Sequence, residues 1–269
     1  MEKIGVEDIC SNPREWYEND INNISYWFPK IENCGIDVPR TKIIQVPNDV
    51  LQAFFMDHHD KDKEKILSFV EEQIMPVLTD MNLFFFFMKI GTFSNKFDFR
   101  GSCKCRAEKY EIMEQLSNIA YTSETFGAQG LSEIAIREFI SDWYYIEKNI
   151  PCIYNGMPLR PEFRVFYDFD EHKVLYSVNY WDWDYCHKRI SDNITDKIIY
   201  EYYYDTINQF FIDNKDKVEK MVATCMKGVN LKERWSIDIM WDEQSKTYYL
   251  IDMATAQTSA YWKGDNDAG

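Results

Sequence analysis

The chain has 269 residues, with 30 Lys and Arg against 45 Asp and Glu, a formal net charge of −15. Apolar residues make up 45% and aromatic residues 16%, a globular composition that excludes a disordered or fibrous chain. The acid excess also excludes a broad phosphate-binding face, because no basic surface would drive counterion release, although a local basic pocket for one small polyphosphate remains compatible with it.

The first thirty residues carry charges throughout, with no apolar stretch of the signal-peptide kind. The longest unbroken apolar run, Leu83–Met88, is far shorter than the roughly 20 residues of a membrane helix. These features predict a cytoplasmic protein with no membrane association. The seven cysteines have no repeated spacing. Cys103 and Cys105 form a C-x-C pair, but no second pair or histidine cluster completes a zinc set, so reduced thiols are expected.

In chain order, Lys42–Val46 (KIIQV) reads as a strand. Over 60–79, Ile66, Leu67, Val70, Ile74, Val77 and Leu78 fall on one helical face. Asn82–Gly91 (NLFFFFMKIG) is a buried strand by its aromatic content. A polar loop, Gly91–Lys104, leads to a helix over 106–120, and Leu131–Ile140 reads as a second strand of this region. Further strands are expected over Glu162–Asp168, Val174–Trp181, Trp235–Trp241 and Thr247–Met253, with a long helix Asp196–Met226 among them. Residues Lys263–Gly269 are polar and expected to fray. This order predicts an α+β fold with antiparallel sheets. No dinucleotide-binding or Walker glycine loop is present.

Charged groups on apolar strands are the candidate functional residues. If Asp242 faces Tyr248 across the turn DEQSK, then Met240 faces Leu250 and Asp238 faces Asp252, while Ile237, Ile239, Ile251 and Met253 share the core side. Two bare carboxylates about 4.5–5.5 Å apart at Cβ repel. A divalent cation removes the conflict, since Mg²⁺ takes one or two carboxylates together with substrate phosphates. A one-residue slip or a wet face would account for the same acids without a metal. Lys89 shares a strand face with Phe85 and Phe87 and either snorkels to water or reaches a polar cleft. Arg164 sits within EFRVF beside Glu162, where an ordinary cross-strand ion pair is the alternative to a ligand contact. The histidines give little support to nucleophilic catalysis: His58 and His59 read as solvated loop residues, His172 as a turn residue, and His187 points away from Cys186 if that segment is extended. The aromatic groups YWDWDY and YEYYYD read as packing material, and their interleaved acids oppose a nucleic-acid partner.

The ordered motifs resemble the ATP-grasp superfamily, most closely the branch of phage and bacterial proteins related to the eukaryotic chaperone that assembles translation initiation factor two. The likeness runs through FFMKIGTFSNKFDF, IAIREFI, PEFRVF, WSIDIMW and YYLIDM, over about residues 80–262. It implies two α+β lobes with antiparallel sheets clasping a nucleotide: an N-terminal α/β region over 1–80, a small lobe over 81–135, a large lobe with a metal-binding hairpin over 136–263, and a tail over 264–269. By the same resemblance, Lys89 and Lys96 contact the phosphates or the adenine edge. Backbone groups of Phe139 and Ile140 read adenine beside Glu138, Arg164 meets the γ-phosphate or an acyl phosphate, and Asp238 and Asp252 hold Mg²⁺. Arg164 and Lys96 would be the catalytic residues. The activity implied is that of an ATP-dependent carboxylate–amine ligase, acting on an unidentified small-molecule, peptide or protein substrate. The alternative is a non-catalytic ATP-dependent assembly or binding factor. The chain departs from the pattern at Ala254, where the family carries Asn two residues after the second metal acid; the polar stretch Gln257–Ser259 follows.

Overall fold

The structure, a computed structural model, describes residues 20–55, 60–126, 131–190 and 193–264. His58 and His59, and the last five residues of the expected frayed tail, lie outside the described residues. The chain forms two compact units, one of residues 20–26 with Arg40–Phe139 and the other of Trp27–Pro39 with residues 140–264.

In the first unit a four-stranded antiparallel sheet has the order β1-β4-β2-β3, with β1 Thr41–Gln45, β2 Phe85–Ile90, β3 Lys104–Arg106 and β4 Glu133–Glu138. β1 falls in the stretch expected to stand as an N-terminal region; it pairs with β4 and so belongs to this sheet. Period-2 alternation sends Phe86, Met88 and Ile90 of β2 and Ile134 and Ile136 of β4 into the core. They pack with Val70 and Ile74 and with Ile112, Leu116 and Ile119 of the helix Lys109–Thr125. That helix begins where the Glu108 carboxylate accepts from Glu111 N at 2.9 Å, satisfying one of the donors a helix start leaves open. The expected helix over 60–79 is present as Asp60–Phe69 continuing into Met75–Asp80, joined by a π-helical turn at Val70–Ile74. Pro76 accounts for the widening, because it has no N–H to give to the preceding turn.

The second unit carries a short antiparallel pair, β5 Cys152–Ile153 with β6 Met157–Pro158, and a four-stranded antiparallel sheet of order β10-β9-β7-β8, with β7 Glu162–Asp168, β8 Lys173–Asn179, β9 Arg234–Asp242 and β10 Thr247–Thr255. β8 ends before Tyr180 and Trp181, which the sequence placed in the strand. Phe163, Val165, Ile237 and Ile239 are fully buried on one face. The long helix Ile194–Cys225 is tied to the sheet through Ser177 Oγ donating to Glu219 (2.6 Å) and Tyr248 Oη donating to Asn214 (3.0 Å). Asn193 opens this helix by accepting from Asp196 N at 3.1 Å. Two short helices, Trp143–Glu147 and Trp183–Arg189, were not expected. His187 lies in the second of them, not in an extended segment; it bonds Glu201 at 2.8 Å and stacks on Trp183. His172 is an exposed turn residue with φ +53°, as read from the sequence. No helix among the described residues is long and apolar enough to cross a membrane.

Candidate functional site

In the first unit the alternation that buries Phe86 and Met88 turns Phe85, Phe87 and Lys89 to the opposite face of β2. Cross-strand partners on that face are Ala135 for Lys89 and Arg137 for Phe87. Lys89 is only 2% exposed, so it does not snorkel to water. Arg137 is also buried and donates Nε–H to Thr41 Oγ1 at 3.1 Å. Lys104 Nζ lies 4.8 Å from the centre of the Phe139 ring and 5.6 Å from that of Phe85. Phe99 stands 6.2 Å from both Phe87 and Phe139. This face is therefore cationic and aromatic at once.

The expected loop between β2 and β3 is folded into a 3-10 turn at Lys96–Asp98 and a π-helical turn at Phe99–Cys103. Asn95 pins it by donating to Ser102 (3.1 Å) and Thr122 (3.3 Å). Gly101 leaves room for the Asp98 carboxylate, which would lie 2.0 Å from a Cβ at that position. Lys96 and Lys89 act on a common neighbour: burial pushes the Cys103 thiol up to about 12, and both lysine charges pull it back. Glu138 is engaged by Arg40, whose Nε–H and Nη2–H donate to it at 2.9 and 3.3 Å, and Glu138 N donates to Arg40 O. Phe139 and Ile140 are half-buried at the step from the first unit to the second.

In the second unit Arg164 on β7 and Asp238 on β9 are cross-strand partners. They form a side-on fork, Nε–H to Oδ1 and Nη2–H to Oδ2, both at 2.8 Å. A third donor, Nη1–H, reaches Ala260 O at 3.4 Å, and the guanidinium lies 4.9 Å from the centre of the Tyr180 ring. Burial works against the charge on Arg164, but Asp238 above all, with a smaller contribution from Asp252, more than restores it, so the guanidinium is held charged more firmly than an ordinary arginine. Asp252 is half-buried and pairs with Asp238 across β9 and β10, as expected. The rest of the hairpin register differs: Asp242 faces Thr247, Met240 faces Tyr249 and Ile239 faces Leu250, with a bulge between Leu250 and Asp252. Ile251 is the extra residue and is half-buried, not core, whereas Ile237, Ile239 and Met253 are buried as expected. After β10 the chain returns across Ser236, whose hydroxyl lies 2.6 Å from that of Ser259, and Trp262 stacks on Tyr176.

A buried ion pair was not expected. Arg160 and Asp242, each with a side chain 5% exposed, meet at 3.1 Å. Arg160 also donates through Nη2 to the carbonyls of Ile140 (3.0 Å) and Ser141 (2.6 Å), while Asp242 accepts from Ser245 N and Oγ. The turn contact is a local signal: an aspartate followed three residues later by serine closes a hairpin turn on itself. The pairing with Arg160 has no such signal.

The carboxylates can be tested against a magnesium ion. Among the described residues no three His, Cys, Asp or Glu side chains are grouped to hold a metal. Asp238 and Asp252 fit a Mg²⁺ that takes its remaining ligands from phosphate oxygens and water, the usual habit of this ion. They do not supply a closed protein cage, and Ala254 offers no side-chain oxygen.

No protein-family model and no curated protein matches the chain. Among solved structures it is similar to C-terminally truncated Cdc123 from Schizosaccharomyces pombe, with a TM-score of 0.55 and 15% identity over 88% of this chain and 85% of that one. Another structure of Cdc123 from the same organism gives 0.52, with the same identity and coverage. D-alanine–D-alanine ligase from Bacillus anthracis is a looser match, at 0.38 and 12% identity over 92% of this chain and 57% of that one. The likeness to Cdc123 is one of fold, and the fold is of the α+β type with antiparallel sheets, as the motifs implied.

Proposed function

We propose that the chain binds Mg-ATP and uses it to join a carboxylate to an amine. The observation that supports this most is the Arg164–Asp238–Asp252 group, a firmly charged arginine beside a half-buried carboxylate on one sheet face. In the first unit, Lys89 and Lys96 would neutralise phosphate charge, and the backbone of Phe139 and Ile140, next to Glu138, would read adenine. In the second, Arg164 would meet the terminal phosphate, with Asp252 and Asp238 the carboxylates closest to the magnesium. Magnesium, when bound, would draw electron density from the phosphate oxygens and so ease transfer. A substrate carboxylate oxygen attacks the γ-phosphorus and ADP leaves with the bridging electron pair. An amine would then attack the acyl phosphate carbon, the C–O bond to the phosphate would break, and the departing phosphate would carry away the proton that the nitrogen loses as the amide forms. The chain's part is positioning and charge neutralisation, since phosphoryl transfer asks little else of a protein.

Ala254 favours a second reading, in which the chain binds Mg-ATP as an assembly or binding factor and turns it over slowly. ADP release separates the two. The ligase reading expects ADP to accumulate only when carboxylate and amine are both supplied, whereas the second expects no dependence on them. Thermal unfolding with nucleotide tests what the readings share. At about 100 times its dissociation constant, Mg-ATP stabilises by roughly 2.7 kcal/mol, and the transition rises by about 5 °C or more at this chain length.

A further inference from the structure

One buried guanidinium is committed to the first residues of the second unit. Arg160 donates through Nη2 to the carbonyls of Ile140 at 3.0 Å and Ser141 at 2.6 Å, and through Nη1 to Asp242 Oδ1 at 3.1 Å. Its side chain is 5% exposed, and its Cζ lies 4.9 Å from the centre of the buried Tyr145 ring. Both ends of this arrangement are fixed. Asp242 Oδ2 accepts from Ser245 N and Oγ, and the backbone carbonyl of Arg160 accepts Trp181 Nε1–H at 2.8 Å. A buried ion pair is often no more stabilising than well-packed apolar residues of like volume, so packing alone does not call for one here.

The effect falls on the backbone of residues 139–141. Two of the three carbonyls there already accept from a fixed positive charge. Among the described residues, no donor meets the Phe139 carbonyl and no acceptor meets the N–H groups of Ile140 and Ser141. The segment therefore presents one open acceptor followed by open donors. An aminopurine such as adenine matches that order, because its exocyclic N–H donates and the neighbouring ring N1 accepts. An oxopurine such as hypoxanthine carries the reverse order, with O6 accepting and N1–H donating. In the same orientation its N1–H needs a carbonyl further along, at Ile140 or Ser141, and there it meets the guanidinium instead. A donor left facing a cation forfeits a hydrogen bond and keeps its desolvation cost.

We infer that Arg160 is a positioning residue that selects the nucleobase: by occupying the Ile140 and Ser141 carbonyls, it makes residues 139–141 accept adenine and reject an oxopurine. This rests on the Mg-ATP reading above and deepens it by naming what chooses the base.

The test compares ATP with ITP, whose base is hypoxanthine, by calorimetric titration of the full-length protein in Mg²⁺. The two nucleotides share ribose, triphosphate and metal, so their affinity ratio reports on the base alone. Wild type is expected to favour ATP on the order of tenfold or more, the scale of one hydrogen bond left unmade. Arg160→Met is expected to lower that ratio by about tenfold. Arg160→Lys, which keeps the charge but not the planar fork, should lower it part of the way. Should Arg160→Met fail to fold, adding Asp242→Leu removes the unpaired acid, and the same ratio is read on the double variant. Equal loss of affinity for both nucleotides, with the ratio unchanged, would overturn the proposal and reduce Arg160 to a structural support. Equal binding of ATP and ITP by wild type would also overturn it, while leaving the Mg-ATP reading in place. If wild type binds neither nucleotide, that reading itself fails, and the proposal fails with it.

Discussion

Asp238 and Asp252 stand opposite each other because β10 carries one more residue than β9 between the turn and this pair. From the turn to Leu250 the strands run in a register offset by one from regular alternation into the aspartates, and Ile251 absorbs the difference as a bulge. A bulge bends its strand and re-aims the side chains that follow. Here the residue that follows is Asp252, on the same face as Asp238 and Arg164, while Leu250 and Ile239 stay in the core.

Lys89 is the most direct probe of the first unit. Lys89→Met keeps the length and apolar stem of the side chain but removes the charge. The variant is expected to unfold within a few degrees of wild type in the absence of nucleotide and to lose most of the stabilisation that Mg-ATP gives. Calorimetric melting with and without Mg-ATP, on the order of millimolar, checks this. Undiminished stabilisation in the variant would remove Lys89 from the phosphate contacts.

Arg160 gives a prediction about stability. Its pair with Asp242 is nearly out of water, and Asp242 keeps its turn contacts when the arginine is gone. Arg160→Met leaves a buried carboxylate without its counter-charge, a change that costs about 3–5 kcal/mol. The melting temperature should fall by roughly 10 °C. Adding Asp242→Leu should recover part of the loss, because two apolar groups do not carry the desolvation cost of one unpaired ion. Urea unfolding of the two variants measures both quantities. No recovery in the double variant would locate the cost elsewhere, in the freed carbonyls of Ile140 and Ser141.

Much of the fold was legible because its strands are strongly patterned. Glu162–Asp168 forms the strand expected from EFRVFYD, and the long helix starts and stops within two residues of its predicted span. The pairing of Asp238 with Asp252 was also anticipated, but through a register that the structure does not have near the turn; alternation cannot reveal an inserted residue. The helix Trp183–Arg189 escaped notice because its aromatic residues resemble strand material. The signal for it lies in Asp182, whose carboxylate accepts from Tyr185 N at 3.2 Å as a helix cap. The fork between Arg164 and Asp238 and the pair of Arg160 with Asp242 join residues more than seventy positions apart. Which acid an arginine meets at such distance depends on sheet order and not on local spacing.

Asp168 gives a pH prediction. Burial alone would raise its carboxyl, but the N–H groups of Glu171 and Asp170 and the guanidinium of Arg234 outweigh this and hold it below the ordinary carboxylate range. A carboxyl depressed in the folded state contributes stability above its unfolded value, about 3.9, and loses that contribution as pH falls through the folded value. Asp168→Asn should therefore be less stable than wild type from about pH 5 to 8 and approach it in acid below about pH 3. Denaturant unfolding across this range checks the trend. A difference that does not shrink in acid would show that the loss is one of packing, not of charge.

Titration of ATP into the wild-type protein by calorimetry, with and without Mg²⁺, addresses the central claim most directly. A single saturable site that needs Mg²⁺, with a dissociation constant below about 1 mM (about −4.1 kcal/mol), is the predicted result. No saturable binding of ATP at millimolar concentration in the presence of Mg²⁺ would contradict it, and would leave Lys89, Arg164 and the two aspartates as parts of a fold without its nucleotide.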